Sequence, residues 1–370
     1  MERADFLIIG GGVAGLSAGA ALAAHGKVIV LEAEAAIGHH SSGRSATFSH
    51  YGIGNAVVRG LTAHSRRYFL EAEGGVLARP TPALFIATEE MRAALTDLAE
   101  AMAVFTDSLE EADEARMRTL FPPLRTGGEA IVAGLVHPDG LRLDSDALLQ
   151  HYVRTIRGAG GAVLNGKRIA AIRPEWTVEA ETGEYFSAPI LINAAGAWAD
   201  QVAVLAGVEP LGLRPLRRTI IIVDPPEGVD ARGWPFVKTV VDDFYILPEG
   251  ARLAASPVDE VDAEPCDAQP EDYDIALAAW KVEQYTTLSV ARIAHRWAGL
   301  RTFAADRSPA AGFDAQAPGF FWLAGQGGFG LQTAPAMAEA IAALVTGGPW
   351  PKALAERGVL ADHLAPARLR

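Results

Sequence analysis

A glycine-rich turn between an apolar run and a helix-forming segment places the strongest constraint on how this chain folds. The first 34 residues predict the order strand, turn, helix, strand, in the segments 4–9, 10–12, 13–25 and 27–31. Gly26 stands where a helix of this kind commonly ends. Parallel strands need a helical crossover of this type. The order therefore predicts an α/β fold that begins with a nucleotide-binding unit.

The spacing Gly10-x-Gly12-x-x-Gly15 gives each glycine a separate physical task. Gly10 permits the tight turn, Gly12 lets backbone N–H groups approach a pyrophosphate, and Gly15 lets the helix pack closely on the sheet. The helix N-terminus supplies partial positive charge for the phosphates. Glu32 lies about 20 residues past the central glycine, where it can accept hydrogen bonds from an adenosine ribose. A purely structural turn is the competing interpretation, and the strand–helix–strand context favours the nucleotide site.

Three further segments of small residues favour a flavin over a nicotinamide. The loop 41–46, with the sequence Ser-Ser-Gly-Arg-Ser-Ala, suits an extended pyrophosphate and flavin tail. The turns 193–198 and 325–332 each join a predicted strand to a helix, so that their N–H groups can face a ligand. Together with the first turn, these segments indicate one long ligand lying across the sheet.

Composition and charge exclude several classes of protein. The 370 residues carry 45 acidic and 32 basic side chains, and the net charge of −13 argues against a general nucleic-acid binder. The single cysteine, Cys266, excludes an internal disulfide framework, and no spacing of ligand residues predicts a metal. The uncharged run 6–24 has the length of a membrane span, but a strand–turn–helix explains it better. We therefore expect a cytoplasmic protein with no transmembrane segment.

Hydrophobic patterning predicts the remaining elements. The predicted helices are 58–72, 89–104, 109–119, 145–158, 272–287 and 334–346. The predicted strands are 82–87, 161–173, 176–180, 185–193, 219–223, 237–247, 252–256 and 320–324. Ser108 and Glu111 form the expected capping box of the helix 109–119, and Thr182-Gly183 the turn of a hairpin.

The nucleotide-like segments lie at both ends of the chain and near residues 190–200, which predicts two interleaved domains. The fold class is therefore α/β, with a discontinuous, Rossmann-like FAD-binding domain and a smaller α+β domain of mostly antiparallel sheet. The FAD-binding domain comprises residues 1–75, 141–208 and 293–370, and the substrate-binding domain comprises residues 76–140 and 209–292.

Several passages resemble the FAD-dependent D-amino-acid oxidase superfamily, which includes glycine oxidase and sarcosine oxidase. Within it, the chain resembles the bacterial D-arginine dehydrogenases most, over nearly its whole length. The passages that carry the resemblance are Ala-His-Gly-x-Val-x-Val-Leu-Glu at 24–32, Ser-Gly-Arg-Ser-Ala at 42–46, Asn-Ala-Ala-Gly-Ala-Trp at 193–198, Leu-Gly-Leu-x-Pro-x-Arg-Arg at 211–218, Trp-Ala-Gly-Leu-Arg at 297–301 and Gln-Gly-Gly at 326–328. They are specific to the superfamily and less specific to the substrate.

The resemblance implies that FAD binds without a covalent link, with the flavin ring at the interface of the two domains. It also implies cofactor contacts from each glycine-rich turn. The predicted cofactor-binding residues are Gly10, Gly12, Ala14, Gly15, Glu32, Ala33, Ser41, Gly43, Arg44, Ser45, Ala46, Ile169, Ala195, Gly196, Trp198, Gly327, Gly328, Phe329, Gly330, Leu331 and Gln332.

The resemblance further assigns the substrate site. By position, Arg218 and Arg301 match two arginines that hold a substrate carboxylate, a task that suits the planar guanidinium fork, and Arg217 is the alternative to Arg218. For each tyrosine of the site, an amphipathic core position is the alternative. The predicted catalytic residues are Tyr51, Arg218, Tyr245, Arg301 and Gln332, and the predicted pocket residues are Phe48, His50, Ala83, Gly328 and Leu331.

Two departures from the D-arginine dehydrogenase pattern bear on the substrate. The loop 47–51 is two residues shorter, so that a histidine of that pattern aligns with Phe48, and His50 replaces it only if the loop follows a different path. The glutamate that reads the arginine guanidinium aligns with Ala83. Because a buried guanidinium without a carboxylate partner is strongly disfavoured, we expect neutral, apolar side chains instead.

The function that these residues imply is FAD-dependent oxidative deamination of D-amino acids. A hydride passes from Cα to flavin N5, and the imino acid then hydrolyses to a 2-oxo acid and ammonia. The expected partners are a small amino-acid substrate and an electron acceptor, which is a quinone, a dye-like carrier or O₂. A glycine/sarcosine-type amine oxidase, a 2-hydroxy-acid dehydrogenase and a flavin-binding partner subunit without turnover are the alternatives.

Overall fold

The structure is a computed structural model that describes residues 1–128 and 130–370. The α-helices are α1 (Val13–Leu22), α2 (Ala56–Glu71), α3 (Arg92–Ala103), α4 (Glu114–Leu120), α5 (Ser145–Gly158), α6 (Ala199–Leu205), α7 (Asp272–Tyr285), α8 (Gly330–Thr346) and α9 (Lys352–Ala355). The strands are β1 (Glu2–Arg3), β2 (Phe6–Ile9), β3 (Val28–Leu31), β4 (Phe48–Ser49), β5 (Ala78–Pro80), β6 (Ala83–Ala87), β7 (Glu110–Ala112), β8 (Ala133–His137), β9 (Leu141–Leu143), β10 (Ala162–Leu164), β11 (Ile169–Arg173), β12 (Thr177–Ala180), β13 (Tyr185–Ser187), β14 (Ile190–Asn193), β15 (Arg214–Val223), β16 (Phe236–Thr239), β17 (Tyr245–Glu249), β18 (Arg252–Ser256), β19 (Val261–Asp262), β20 (Ile293–Phe303), β21 (Ala310–Phe313), β22 (Phe320–Ala324) and β23 (Gln326–Gly327).

The first sheet is six-stranded and has the order β10-β3-β2-β14-β22-β21. Its neighbours are parallel except for the antiparallel pair β21 and β22. Strands β2 and β3 are fully buried apolar runs, as parallel strands covered on both faces require. Helices α1, α5 and α8 pack on one face, and α6 packs on the other beside the four-stranded sheet β1-β13-β12-β11. This arrangement confirms the predicted Rossmann-like part of the fold.

The second sheet is larger, and its order is β23-β20-β15-β18-β17-β16-β6-β8-β7, with β19 paired to β15. Only β16 and β6 run parallel to each other, so the prediction of a mostly antiparallel sheet is confirmed. Side chains alternate between the two faces. One face packs on α4 and α7, and the other contacts the segment that includes Tyr51 and β4.

Several predicted elements differ in detail from the structure. The segment 109–119 is a strand, β7, followed by the short helix α4, and Asp113 rather than Ser108 caps that helix. The hydroxyl of Ser108 instead donates a hydrogen bond to the Asp139 carboxylate, at 2.7 Å. The predicted strands 161–173, 185–193 and 237–247 are each interrupted and form two strands.

One predicted domain boundary conflicts with the strand pairing. The predicted boundary at residue 293 assigns strand β20 to the FAD-binding domain. In the structure it pairs with β15 from Arg214 to Val223, so it belongs to the second sheet. Long-range pairing of this kind leaves no local mark in the sequence. No helix in the described residues is both long and apolar enough to span a membrane.

Candidate active site

A groove runs between the carboxyl ends of the first sheet and the edge of the second. It passes Glu32 at one end and reaches Arg218 and Arg301 at the other. Ligands of open parallel sheets bind at this position, outside the carboxyl ends of the strands. The groove therefore joins the predicted nucleotide site to the predicted carboxylate site.

The first glycine-rich turn is held so tightly that two of its positions admit no side chain. Gly10 has φ of +114°, and a Cβ atom there would lie 2.3 Å from the carbonyl oxygen of Ala194. A Cβ atom on Gly15 would lie 2.0 Å from the carbonyl oxygen of Gly10. The turn thus brings the N-terminus of α1 against the groove, where backbone N–H groups can bind a pyrophosphate. These contacts fit the FAD that the sequence predicts.

Glu32 is oriented by two backbone donors. The N–H of Gly11 donates to Oε2 at 2.7 Å, and the N–H of Glu34 donates to Oε1 at 2.8 Å. The side chain is 8% exposed and borders the groove. Since each carboxylate oxygen can accept a second hydrogen bond, the residue is already positioned for a ribose hydroxyl.

The loop 38–46 connects the two sheets along the groove. Ser42 accepts a hydrogen bond from the N–H of Val13 at 3.0 Å, so its hydroxyl covers part of the α1 N-terminus. Ser41 donates to the carbonyl of Leu300 at 2.6 Å, and Arg44 donates to the carbonyl of Ala298 at 3.1 Å. The Arg44 guanidinium, predicted to contact the cofactor, borders the groove while its donors hold the loop to β20.

Most of the predicted cofactor residues border the groove, but four do not. Gly15 packs α1 on β2, and Gly43 lies against the carbonyl of Gly38. The ring of Phe329 packs on Phe303. The side-chain amide of Gln332 donates to Thr62 at 2.8 Å, inside the contact between α8 and α2. These four residues make the contacts with protein named here, and their predicted contact with the cofactor stays a prediction.

Sequence reasoning also missed several groove residues. Ser42 and Gln326 lie in the loop 41–46 and the turn 325–332, and these small-residue patterns are the signal that could have identified them. The others have no such motif and reach the groove through the fold, and they are His39, His40, Lys167, Arg168 and Gln201. Near the Glu32 end, His40 Nε2 lies 3.1 Å from Glu34 Oε1, and Arg168 Nη2 lies 3.1 Å from the same oxygen.

Arg217 and Arg218 point to opposite faces of β15, because successive side chains alternate along a strand. Arg217 points to the face of β15 that carries α7, where it pairs with Glu271 and, at 2.9 Å, with Asp274. Arg218 points to the opposite face and borders the groove. Burial lowers the pKa of Arg218 to about 10, and repulsion from Arg301 contributes to the same shift. An anion bound at this point would offset the burial of the Arg218 charge and its repulsion from Arg301, and both changes would raise the pKa of Arg218 again.

Arg301 is the free cation of the site. Arg218 pairs in register with Gly299, so Arg301, two residues further along β20, lies diagonally opposite on the same face. Arg218 donates to the carbonyl of Asp259 at 2.6 Å and lies 3.2 Å from a carboxylate oxygen of Glu260. In the part of the chain that the structure describes, the Arg301 side chain has neither a hydrogen-bond acceptor nor an ion-pair partner. Its guanidinium is therefore available to a ligand carboxylate.

Two of the other predicted substrate residues, Gly328 and Leu331, border the groove. Tyr245, Tyr51 and Phe48 instead pack on the face of the second sheet that carries Arg218, and they do not border the groove. The hydroxyl of Tyr245 is buried and has no hydrogen-bond partner among the described residues. Tyr51 packs on His137, with 4.6 Å between ring centroids. Phe48 stacks on Phe236 at 4.6 Å. A buried hydroxyl without a partner is costly, so Tyr245 is a candidate to donate to a bound substrate.

His50 and Ala83 lie in the same aromatic layer. The Nδ1 atom of His50 accepts the N–H of Gly52 at 3.1 Å, and burial holds the pKa of His50 well below its usual range, so its ring is neutral. Ala83 is fully buried and pairs in register with Phe236 on one side and His137 on the other. Neither cross-strand neighbour is acidic, and the expectation of a site without a carboxylate for a guanidinium stays a prediction.

Comparisons with known proteins agree with this geometry. A family model described as FAD dependent oxidoreductase, DAO, matches residues 5–344. FAD-dependent oxidoreductase domain-containing protein 1 from Bos taurus is 25% identical over 281 residues, which cover 63% of this chain and 55% of the relative. The chain spans about half the length of the curated relatives that it matches.

Solved structures share the whole fold. L-proline dehydrogenase from P. horikoshii superposes with a TM-score of 0.87 at 21% identity, over 99% of this chain and 98% of that one. Glycine oxidase from Geobacillus kaustophilus superposes with a TM-score of 0.81 at 19% identity, over 94% of this chain and 96% of that one. At these identities the likeness concerns the fold.

Proposed function

Because the chain belongs to the DAO family of FAD-dependent oxidoreductases, we propose that it catalyses the oxidative deamination of D-amino acids with neutral, apolar side chains. The observation that carries the proposal is the position of Arg301. Its guanidinium has no hydrogen-bond or ion-pair partner among residues 1–128 and 130–370, and it lies beside the buried Arg218 at one end of the FAD groove. A substrate that bears a carboxylate supplies the missing partner.

The side chains of this site bind and orient the substrate. Arg218 and Arg301 hold the carboxylate from two directions, and the unpartnered hydroxyl of Tyr245 donates to it. Fixing the carboxylate also fixes the Cα–H bond relative to the groove, and such positioning supplies much of the rate. When bound, FAD supplies the acceptor for the hydride that leaves Cα. The released imino acid then hydrolyses in water to a 2-oxo acid and ammonia.

The side chains around Ala83 support the choice of a neutral substrate. Phe48, Phe85 and Phe236 form the layer in front of Ala83, and the imidazole of His50 in that layer is neutral. A cationic side chain would enter this layer without a carboxylate to pair with. The choice of the D enantiomer rests on the sequence resemblance described above.

The experiment uses the FAD-loaded protein without oxygen. D- and L-forms of leucine, methionine, phenylalanine and arginine are added separately, and loss of the oxidised flavin absorbance is followed by stopped flow. We expect D-methionine and D-leucine to bleach the flavin faster than D-arginine. In Arg301→Met the bleaching should slow at least 100-fold, about the loss expected when a charge-assisted pair is removed. The control is Arg214→Met, which changes an exposed arginine on the same strand as Arg218.

Four outcomes would contradict the proposal. Faster bleaching by the L-amino acids would reverse the assigned enantiomer. Bleaching by N-methyl amino acids alone would favour a glycine/sarcosine-type oxidase, and bleaching by 2-hydroxy acids alone would favour a hydroxy-acid dehydrogenase. If Arg301→Met bleached the flavin as fast as the parent, the assignment of Arg301 to the carboxylate site would be wrong.

A further inference from the structure

The strand that runs beside Arg218 is interrupted next to the candidate active site. Strands β18 and β19 both pair with β15, and residues 257–260 separate them. Val258 has φ of +56°, a backbone conformation that β-branched residues rarely adopt. Irregular backbone of this kind redirects the groups that a regular strand would use for its ladder, and it is common beside active sites. The polar groups of residues 257–260 can therefore bind side chains of the neighbouring strand.

Two acceptors of this segment bind one edge of the Arg218 guanidinium. Nε of Arg218 donates to the carbonyl oxygen of Asp259 at 2.6 Å, and Nη2 donates to Oε1 of Glu260 at 3.2 Å. The Asp259 carboxylate accepts the N–H of Thr219 at 2.8 Å, which fixes the segment to β15. Nη1 of Arg218 has no acceptor among residues 1–128 and 130–370, and Arg218 borders the groove. The other edge of the planar fork is therefore left for a ligand.

The carboxylate of Glu260 is itself held from a second side. Its Oε1 atom also accepts a hydrogen bond from Nη2 of Arg307, at 2.8 Å. The guanidinium carbon of Arg307 lies 3.9 Å from the centroid of the Phe303 ring, a cation–π contact. The side chains of Glu260 and Arg307 are 33% and 47% exposed, so a substitution at either position opens no cavity in the core. One carboxylate oxygen thus joins Arg218 to an arginine that does not border the groove.

We propose that Glu260 is a positioning residue, which holds the Arg218 guanidinium in the orientation that a substrate carboxylate requires. This inference rests on the proposed function. A long side chain loses rotamer freedom when it binds a ligand, and a side chain that is already held loses less. Glu260 restrains Arg218 before the substrate binds, and Arg307 restrains Glu260 in turn.

A competing role for Glu260 predicts the opposite effect. If its negative charge only competed with the substrate carboxylate for Arg218, removing the charge would tighten substrate binding, in Glu260→Gln and in Glu260→Ala alike. A positioning role predicts that Glu260→Gln, which retains an oxygen acceptor, keeps most of the affinity and that Glu260→Ala loses it. The order of the two variants therefore separates the two roles.

The experiment uses the FAD-loaded protein and 4-methylpentanoate, which has the carboxylate and the side chain of leucine but no amino group. Its dissociation constant is obtained from the change in flavin absorbance. In Glu260→Ala the constant should rise about 3- to 10-fold, the factor expected when one arginine is no longer held before binding. In Glu260→Gln it should stay within about 2-fold of the parent, because the amide oxygen still accepts from Arg218. The control is Glu264→Gln, a change at an exposed residue two positions after β19, which should bind like the parent.

Two results of this titration would overturn the inference. One is an affinity of Glu260→Ala that equals or exceeds that of the parent. The other is a loss in Glu260→Gln as large as the loss in Glu260→Ala, since that would assign the effect to charge. If Glu260→Ala does not fold, Glu260→Met, which keeps the length of the side chain without the acceptor, is measured in its place with the same expected constants.

Reduction kinetics give a readout that a merely structural role would not produce. In anaerobic stopped flow with D-methionine, Glu260→Ala should require more substrate for half-saturation, with a limiting rate within about 2-fold of the parent, because the bound carboxylate then holds Arg218 itself. A lower limiting rate with unchanged half-saturation would contradict the role of Glu260. Arg307→Met should weaken 4-methylpentanoate binding about 2-fold in the parent and leave it unchanged in Glu260→Ala, because Arg307 acts through Glu260. Equal effects in both backgrounds would contradict this order of action.

The binding measurement keeps the inference distinguishable from the proposed function. If 4-methylpentanoate binds but no D-amino acid reduces the flavin, the proposed reaction is wrong and the Glu260 variants still decide the role of Glu260. If the parent does not bind 4-methylpentanoate, the carboxylate site is wrong, and the role of Glu260 is wrong with it.

Discussion

A Cβ atom placed on Gly328 would lie 2.8 Å from Nη1 of Arg301, so the glycine keeps open the space that the guanidinium occupies. Gly328 stands between β23, which pairs with β20 at the edge of the second sheet, and the start of α8, whereas Arg301 lies on β20. The candidate active site therefore depends on a close fit between the turn that leads into α8 and the strand that carries Arg301.

Gly328→Ala should weaken substrate use without unfolding the protein. The added methyl group meets the end of a flexible side chain, so Arg301 moves and the backbone stays in place. Displacing a substrate-binding group by about 1 Å commonly costs about 100-fold in rate, so we expect kcat/KM to fall 10- to 100-fold. Steady-state kinetics and the melting temperature are the measurements. Gly158→Ala is the control, since no atom lies within 4 Å of its added Cβ. A fully active Gly328→Ala would show that Arg301 does not bind substrate in this position.

Arg217→Met should lower stability and leave substrate binding intact. The Arg217 side chain is 11% exposed and pairs at 2.9 Å with Asp274, whose side chain is 4% exposed. Removing one partner leaves a buried charge, which costs about 3 kcal/mol in the free energy of unfolding. Urea unfolding measures this loss, and KM for D-methionine should stay within 2-fold. A large rise in KM with unchanged stability would mean that Arg217, and not Arg218, faces the substrate.

Glu32→Ala should weaken FAD binding. The variant leaves the N–H groups of Gly11 and Glu34 without their acceptor and removes the contact for the ribose. Loss of such hydrogen bonds costs about 1–3 kcal/mol, so the dissociation constant of FAD should rise about 10- to 100-fold. Flavin fluorescence titration of the apoprotein gives this constant. Exposed Glu181→Ala serves as the control, and equal FAD affinity in the two variants would refute the role of Glu32.

The stability of the protein should fall as the pH decreases from about 6.5 to 4. Burial lowers the pKa of His137 to about 4, while the unfolded chain has the ordinary value near 6.5. Between these values the unfolded state binds the proton and the folded state does not, so acid favours unfolding. His137→Leu removes this titration, and within the described part of the chain neither ring nitrogen has a hydrogen-bond partner to lose.

The measurement for His137 is urea unfolding at pH 7.5 and pH 5 with saturating FAD. On acidification, His137→Leu should lose about 2 kcal/mol less than the parent. His25→Leu, a change at an exposed histidine, should behave like the parent. An equal acid loss in His137→Leu and the parent would show that His137 takes up no extra proton on unfolding.

The nucleotide half of the protein was predictable because its determinants are local. Gly10, Gly12 and Gly15 stand between a buried strand and a helix, and Glu32 ends the next strand, so the spacing alone specified the turn and the acidic residue. Steric contacts within a few residues decide this unit. The family resemblance then led from the turn to FAD.

Only the tertiary structure decided which residues form the cationic end of the groove. Arg217 and Arg218 are adjacent in sequence, and which one borders the groove depends on the face of β15 that α7 covers. Strand β20, assigned by sequence to the first domain, pairs with β15 and delivers Arg301 to the site.

The physical reason is the number of residues in the chain that separate the two partners of each contact. A turn that binds a pyrophosphate uses backbone groups within about five residues, so its pattern is visible in the sequence. The cationic end of the groove brings together Arg218 and Arg301 from two strands, and their proximity follows from sheet order and strand register. The sequence by itself determined the cofactor unit, and the packing of the two sheets decided which charges surround the substrate position.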